Sequence, residues 1–249
     1  MKFVFGMDIS RDNIENRKDG VCARYLHMKM KNPKTMDALF IQGNSLKHVR
    51  SGKACFSDKG KDITKAVFGE GVKDVKKIGE NAFKHYGIGI HGFDVVSCQF
   101  AIHYFFETDK SLNGFLKNVA ECCKKGGYFI GTSYDGKKIF QELKDCEKGE
   151  SISGYTDDHK IWEIIKQYDD KEMQNTGLAI DVYQESINAY WREYLVNYDF
   201  LTEKFVEYGF TPASDVDIAA IGNFNLIYDT IDDMNNIGQS KNMTDNEKK

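Results

Sequence analysis

Four short apolar runs, each breaking off into small or polar residues, constrain the fold of this chain most. They are KFVFGMDIS (2–10), ALFIQGNS (38–45), FDVVSCQF (93–100) and YFIGTSYDG (128–136). Strands covered on both faces read as such near-continuous runs, and they belong to parallel sheets. Between the third and fourth runs lies SLNGFLKNVAECCKKGG, where Leu112, Phe115, Leu116, Val119 and Cys123 recur at helical spacing and make one apolar face. Gly126 and Gly127 supply a left-handed stop after it. Strand, helix, strand at this spacing is a βαβ unit, so the class is α/β with a mostly parallel sheet.

The 249 residues hold only two prolines, no Pro-rich or Gly/Ser-rich linker and no repeat, which predicts one domain over 1–249. Residues 46–92 read as a basic insertion beside the sheet, with 10 Lys/Arg against 5 Asp/Glu and a helix in VKDVKKIGENAFKHYG. They carry most of a wider asymmetry: residues 1–92 hold 18 Lys/Arg against 10 Asp/Glu, and the rest 16 against 28. A basic half suits an anionic partner such as nucleic acid, although a solvated lysine-rich face gives the same count. Further on, KIWEIIKQYD (160–169) is predicted as a helix and IDVYQES (180–186) as a strand. A last helix buries Leu201, Phe205 and Tyr208 and is closed by Gly209, and residues 238–249 read as a polar tail. The six cysteines form no C-x-x-C pair, which fits reduced thiols and an intracellular protein, and no apolar run reaches the length of a bilayer span.

Ligands of open parallel sheets bind at the carboxyl ends of the strands. Those ends carry Asp8, then Asn44 and Ser45, then Gln99 with His103 and Tyr104, then Ser133, Tyr134 and Asp135. Asp8 suits a ribose diol and Asn44 the edge of an adenine, while DISRDNIE also has the shape of a helix-capping turn. No metal site is expected, because His103 lacks a second ligand at helical spacing. There is no G-x-S-x-G and no P-loop, and the two G-x-G stretches read as turns.

Taken in order, SCQFAIHYFFE, NVAECCKKGGYFIGTSYDG, DVYQESIN and REYLVNYDFL resemble the mRNA cap guanine-N7 methyltransferases, above all the type carried by giant DNA viruses. The resemblance runs from Lys2 to about Phe210. It implies a class I, Rossmann-like fold that binds S-adenosylmethionine and methylates N7 of the guanine in capped RNA. By the same resemblance Asp8 meets the cofactor ribose, and Asn44 and Ser45 its adenine. Asn44 stands where an Asp is usual. Gln99 is a further cofactor contact. His103 and Tyr104 face the guanine, Glu193 reads its N–H edge, and Tyr134 replaces a Pro that lies on the base plane. None of these is expected to act as a general base.

The resemblance further implies that a first strand with a D-x-G-x-G-x-G loop would precede residue 2 and that a last strand would follow the polar tail. On that expectation the sequence is a fragment, incomplete at both ends, and poorly stable or inactive alone. Triphosphatase and guanylyltransferase domains upstream in the same polypeptide are an implied possibility, as is location in a cytoplasmic viral factory or virion if viral and in the nucleus if cellular. Two alternatives stand beside this reading: a methyltransferase of another substrate, and a non-catalytic methyltransferase-like binding subunit.

Overall fold

The computed structural model describes residues 2–157, 159–214 and 216–218, which fall into two compact units. One is formed by residues 2–100 with Asp109–Thr132, the other by Ala101–Thr108 with the described residues from Ser133 onward. The polar tail at 238–249 lies outside the described residues.

In the first unit the four apolar runs form two parallel pairs. β1 (Phe3–Asp8) pairs with β2 (Asp37–Gln42), and β3 (Phe93–Gln99) pairs with β4 (Cys123–Thr132). Among the described residues each pair is a separate two-stranded sheet. α1 (Arg11–Glu15) and α2 (Val21–Lys31) lie between β1 and β2 in the chain. α3 (Asp58–Val67) and α4 (Val75–Lys84) precede β3, and α5 (Asp109–Cys122) precedes β4. The β3–β4 register jumps from Phe93–Cys123 to Val95–Tyr128, so the extra residues bulge out of the ladder. Gly126, at φ 76°, makes that bend inside the strand instead of ending the helix.

Residues 46–92, expected beside the sheet, enter its core. Val67 and Phe68, at the end of α3, are buried in one cluster with Phe3, Val49 and Ala54. The Phe68 ring meets Phe5 and Phe93 edge-on, at centroid distances of 6.1 and 5.9 Å. Asp37 anchors the start of β2 through Lys84 at 2.7 Å, Lys29 at 3.0 Å and His85 at 3.0 Å. Hydrogen bonds from Lys84, Lys29 and His85 hold its carboxyl well below the usual carboxylate range.

The second unit contains a four-stranded antiparallel sheet in the order β5 (Ser151–Thr156), β6 (His159–Lys166), β7 (Ala179–Gln184), β8 (Ala189–Tyr194). β6 corrects the helix predicted over 160–169. KIWEIIK carries three β-branched Ile and a Trp, whose stiff side chains favour a pleated surface. As a strand its Trp162, Ile164 and Lys166 share one face, opposite Gln184, Val182 and Ile180 of β7. α6 (Gly136–Glu142) adds Phe140 to a core with Leu143, Leu178, Ile180, Val182 and Leu195. Buried Lys166 donates to the carbonyls of Leu143 (3.2 Å) and Cys146 (2.8 Å), which sit just past the end of α6. α7 (Tyr198–Glu207) is the last predicted helix, capped by Asn197 and followed by Gly209 at φ 84°. Leu201 is buried, while Phe205 and Tyr208 are only half-buried. No described helix is long and apolar enough to cross a membrane.

Gly136 fixes where α6 meets the chain after β8. A Cβ there would lie 2.4 Å from the Val196 carbonyl oxygen and 2.5 Å from its nitrogen, both backbone atoms that no rotamer change can move. Gly136→Ala is expected to lower stability by about 1–3 kcal/mol, the range of an overpacked core. Urea unfolding measures this, and an unchanged midpoint would mean that α6 does not sit against Val196.

Candidate functional site

The second unit brings together four of the residues singled out in the sequence. His103 and Tyr104 lie in a short 3-10 helix, Ile102–Glu107, which packs against β8. Along β8 the side chains alternate, so Glu193 points to the opposite face from Tyr194 and lies opposite Ile180 of β7. Leu195, two residues on, is in the core, which is why the strand carries the carboxylate inward. Tyr134 follows β4, on the short link before α6. His103, Tyr134, Ile139, Ile180, Glu193 and Val196 line one small cavity of about 10 Å³.

The electrostatics of this pocket are unusual for a core. His103 Nε2 lies 3.6 Å from Glu193 Oε1, beyond hydrogen-bond range. Both ring nitrogens of His103 and Oε2 of Glu193 are buried with no hydrogen-bond partner among the described residues. Each such group costs about 1–3 kcal/mol when left unpaired. Burial pushes the Glu193 carboxyl up to about 7 and the His103 imidazole down to about 4, so both lean to their neutral forms. The Tyr104 ring meets His103 at 4.3 Å, tilted by 66°, and is 41% exposed. The Tyr134 ring lies nearly parallel to His103, at 6.5 Å. Gln184, on the inward face of β7, donates its amide to the Tyr134 hydroxyl. This donor and acceptor set suits a flat polar ring that offers N–H groups to Glu193 and an acceptor to His103.

The first unit places the other four residues at the carboxyl ends of its parallel strands. Asp8 ends β1, where its carboxylate accepts from Ser10 N at 2.7 Å and from Asn13 Nδ2 at 3.2 Å. The helix cap suggested by DISRDNIE is Ser10, whose Oγ accepts from Asn13 N, and Asp8 braces the turn before it. Asp8 also borders an open depression of about 450 Å³ lined by Gly6, Asn13, Ile14, Arg24 and Phe40. Asn44, Ser45 and Gln99 do not line that depression. Asn44 Oδ1 accepts from Leu46 N at 2.9 Å, shaping the turn that carries Ser45. Gln99 accepts from Thr132 Oγ1 and donates to Ser97 Oγ, both at 3.0 Å, tying the ends of β3 and β4 together.

Three residues of these sites escaped the sequence reading. Gln184 holds Tyr134, but a polar residue at a strand end announces no partner. Buried Asn118 of α5 donates to the carbonyls of Ser45 and Lys47 and accepts from Val49 N, clamping the loop after β2. Within an amphipathic helix its amide looked like any polar position. Phe100 follows Gln99 with a left-handed φ of 48° and an exposed ring. Strain of this kind in a residue with a Cβ marks functional strand ends, and only coordinates reveal it.

Comparison with known proteins identifies the family of the chain. The family model for the mRNA (guanine-N(7))-methyltransferase domain matches residues 2–218. A probable mRNA-capping enzyme of Acanthamoeba polyphaga mimivirus is 38% identical over 122 residues, 46% of this chain and 10% of that one. An mRNA cap guanine-N(7) methyltransferase of Caenorhabditis elegans is 47% identical over 58 residues, 23% of this chain and 15% of that one. These matches therefore cover only a small part of each relative's length. A solved S-adenosylmethionine-dependent methyltransferase from Clostridium acetobutylicum overlaps 84% of this chain and 72% of its own, at 11% identity and a TM-score of 0.38, too loose a superposition to carry weight. The match over residues 2–218 shows that the chain, whose elements are of the α/β class, belongs to the mRNA (guanine-N(7))-methyltransferase domain family.

Proposed function

We propose that this chain methylates N7 of the guanine that caps an RNA. The observation that carries the reading is the buried, unpartnered pair of Glu193 and His103 facing one cavity in a member of this family. Glu193 as a carboxylate accepts from N1–H and the 2-amino group of guanine, two charge-assisted bonds that adenine does not offer. His103 donates from one ring nitrogen to O6. A site built this way discriminates against a base lacking those groups by about 10⁴-fold.

The residues of the first unit fit S-adenosylmethionine. An ionised carboxylate has about four acceptor positions, of which Asp8 uses two, leaving room for a ribose diol. Gln99 and the exposed Phe100 ring offer a polar and an apolar contact for the rest of the nucleoside. When bound, S-adenosylmethionine supplies an electrophilic methyl that the N7 lone pair takes as the C–S bond breaks. No proton leaves the base, so the pocket needs no general base, and positive charge passes to the purine. Glu193 stabilises that charge. His103, kept neutral by its burial, hydrogen-bonds O6 without opposing it. Orientation and exclusion of water are the remaining tasks, and the burial of His103 and Glu193 serves both.

Incubation with labelled S-adenosylmethionine and GpppG-capped RNA is expected to yield 7-methylguanosine. Glu193→Ala, which removes two charged hydrogen bonds of about 1.5–3 kcal/mol each, should lower kcat/KM by at least about 10²-fold. Methyl transfer to any other position, or an unchanged Glu193→Ala rate, would overturn the assignment.

Glu193 also sets a pH dependence. It must be ionised to accept from guanine, so kcat/KM is expected to rise with pH and level off above about 7. Stability runs the other way. The folded state holds the Glu193 proton more tightly than the unfolded chain, so this contribution is full below pH 4.5 and is lost as pH rises through about 7. For His103 the folded value is depressed, so its contribution is full above pH 6.5 and is lost as pH falls through about 4. Glu193→Gln should abolish the loss on the alkaline side and keep the acid one. Urea midpoints across both windows test this, and an alkaline decline that survives in Glu193→Gln would contradict it.

A further inference from the structure

We propose that Tyr134 is a side-chain gate over the Glu193–His103 pocket, latched shut on Gln184 and obliged to swing aside before a base can enter. The inference rests on the guanine reading for its ligand and on geometry for everything else. The cavity, about 10 Å³, has room for roughly one water, and a purine is many times larger. Something in its wall has to move.

Most of the wall is fixed. Ile180 sits on β7, which is hydrogen-bonded to a strand on each side, and is 1% exposed. Val196 is equally buried, and its backbone is in contact with Gly136. Ile139 packs into the Phe140–Leu143 core. Tyr194 lies on the opposite face of β8 from Glu193. That leaves Tyr134, which is half-buried and bonded through its hydroxyl to the Gln184 amide.

Its backbone is held on both sides. Ser133 Oγ shares a 2.8 Å hydrogen bond with the Tyr198 hydroxyl and donates to the Tyr134 carbonyl at 3.0 Å. Asp135 caps α6 by accepting from Lys137 N and Lys138 N. The motion is therefore a rotation of the ring about a fixed main chain, with no loop opening. The cavity that the ring lines is shared by His103 and Glu193, whose three buried polar atoms without a hydrogen-bond partner are left for a ligand or water to satisfy. The ring, already nearly parallel to His103, can stack on the incoming base once it has turned.

Two measurements on the intact chain test this. The first needs no ligand: the titration of the His103 ring followed by NMR. In the wild type the closed gate keeps the imidazole dry and its pKa near 4. Tyr134→Ala should admit water and raise it toward 6.5, the ordinary value. The second is stopped-flow binding of GpppG. Tyr134→Phe and Gln184→Ala both remove the latch and should speed association by about 2- to 10-fold, the effect of one neutral hydrogen bond on the open fraction. Tyr134→Ala should also associate faster but release GpppG sooner, having lost the stacking ring. A residue with a merely structural role would give slower association in all three variants. An unmoved His103 titration in Tyr134→Ala, or association unchanged in both unlatched variants, overturns the gate. A raised His103 pKa in Tyr134→Ala, with no GpppG binding by any form, supports the gate and defeats the guanine reading.

Discussion

The burial of Glu193 beside His103 is the constraint on which the second unit depends. Two polar side chains 3.6 Å apart with no hydrogen bond between them lie against a core of Ile180, Val182 and Leu195. Their unpaired atoms cost about 1–3 kcal/mol each. The aliphatic and aromatic side chains around them, each worth about 1.5–3 kcal/mol when fully buried, offset that cost. The register of β8 is thereby fixed: a slip of one residue would turn Glu193 outward and drive Tyr194 into the core. A chain accepts such an arrangement when the same atoms have a ligand to meet, as in a site built complementary to a polar ring.

Burial also decides which charges the pocket can show. It pushes the acid toward neutrality and the imidazole away from protonation, so neither opposes the entry of a neutral base. On the proposed reading, guanine donates two N–H groups to Glu193 and favours its carboxylate form, because hydrogen bonding to the charged state lowers a pKa. The negative charge thus arrives together with the substrate. A protonated His103 would do the reverse, placing a positive charge beside a base that becomes cationic during the reaction. The proposed methylation of a ring nitrogen therefore needs no catalytic base in this pocket.

Much of the first unit was legible in the sequence because its strands are short apolar runs broken off by polar residues and its α5 has a clean helical period. The runs ending at Asp8 and Gln99 fall where β1 and β3 end, and the run before Asn44 is β2. The antiparallel sheet was less legible. KIWEIIKQYD satisfies a helical period and a strand period at once, and only pairing with β5 and β7 chooses between them. SISGYT, which forms β5, contains a Gly that looks like a break. Its lack of a Cβ is what lets the Trp162 ring lie over it, since a Cβ there would be 2.3 Å from Trp162 Nε1. His103, Tyr104, Tyr134 and Glu193 were named through family resemblance, and no periodicity would have grouped residues so far apart in the chain. The Gln184 latch, the Asn118 clamp and the strain at Phe100 are tertiary facts with no local signal.

The two sets of site residues differ in a way that bears on how the chain can vary. Asp8, Asn44 and Gln99 each have a hydrogen-bond partner from a neighbouring turn or strand end. Such residues are held whether or not a ligand is present, and a substitution there disturbs the turn as well as any contact it serves. Glu193 and His103 have no such support, and their burial is a standing penalty. Replacing either by an apolar residue of similar volume would relieve that penalty, because loss of both polar partners is close to neutral or favourable in a core. Stability alone would therefore remove them. Their presence fits the base-binding role proposed for them.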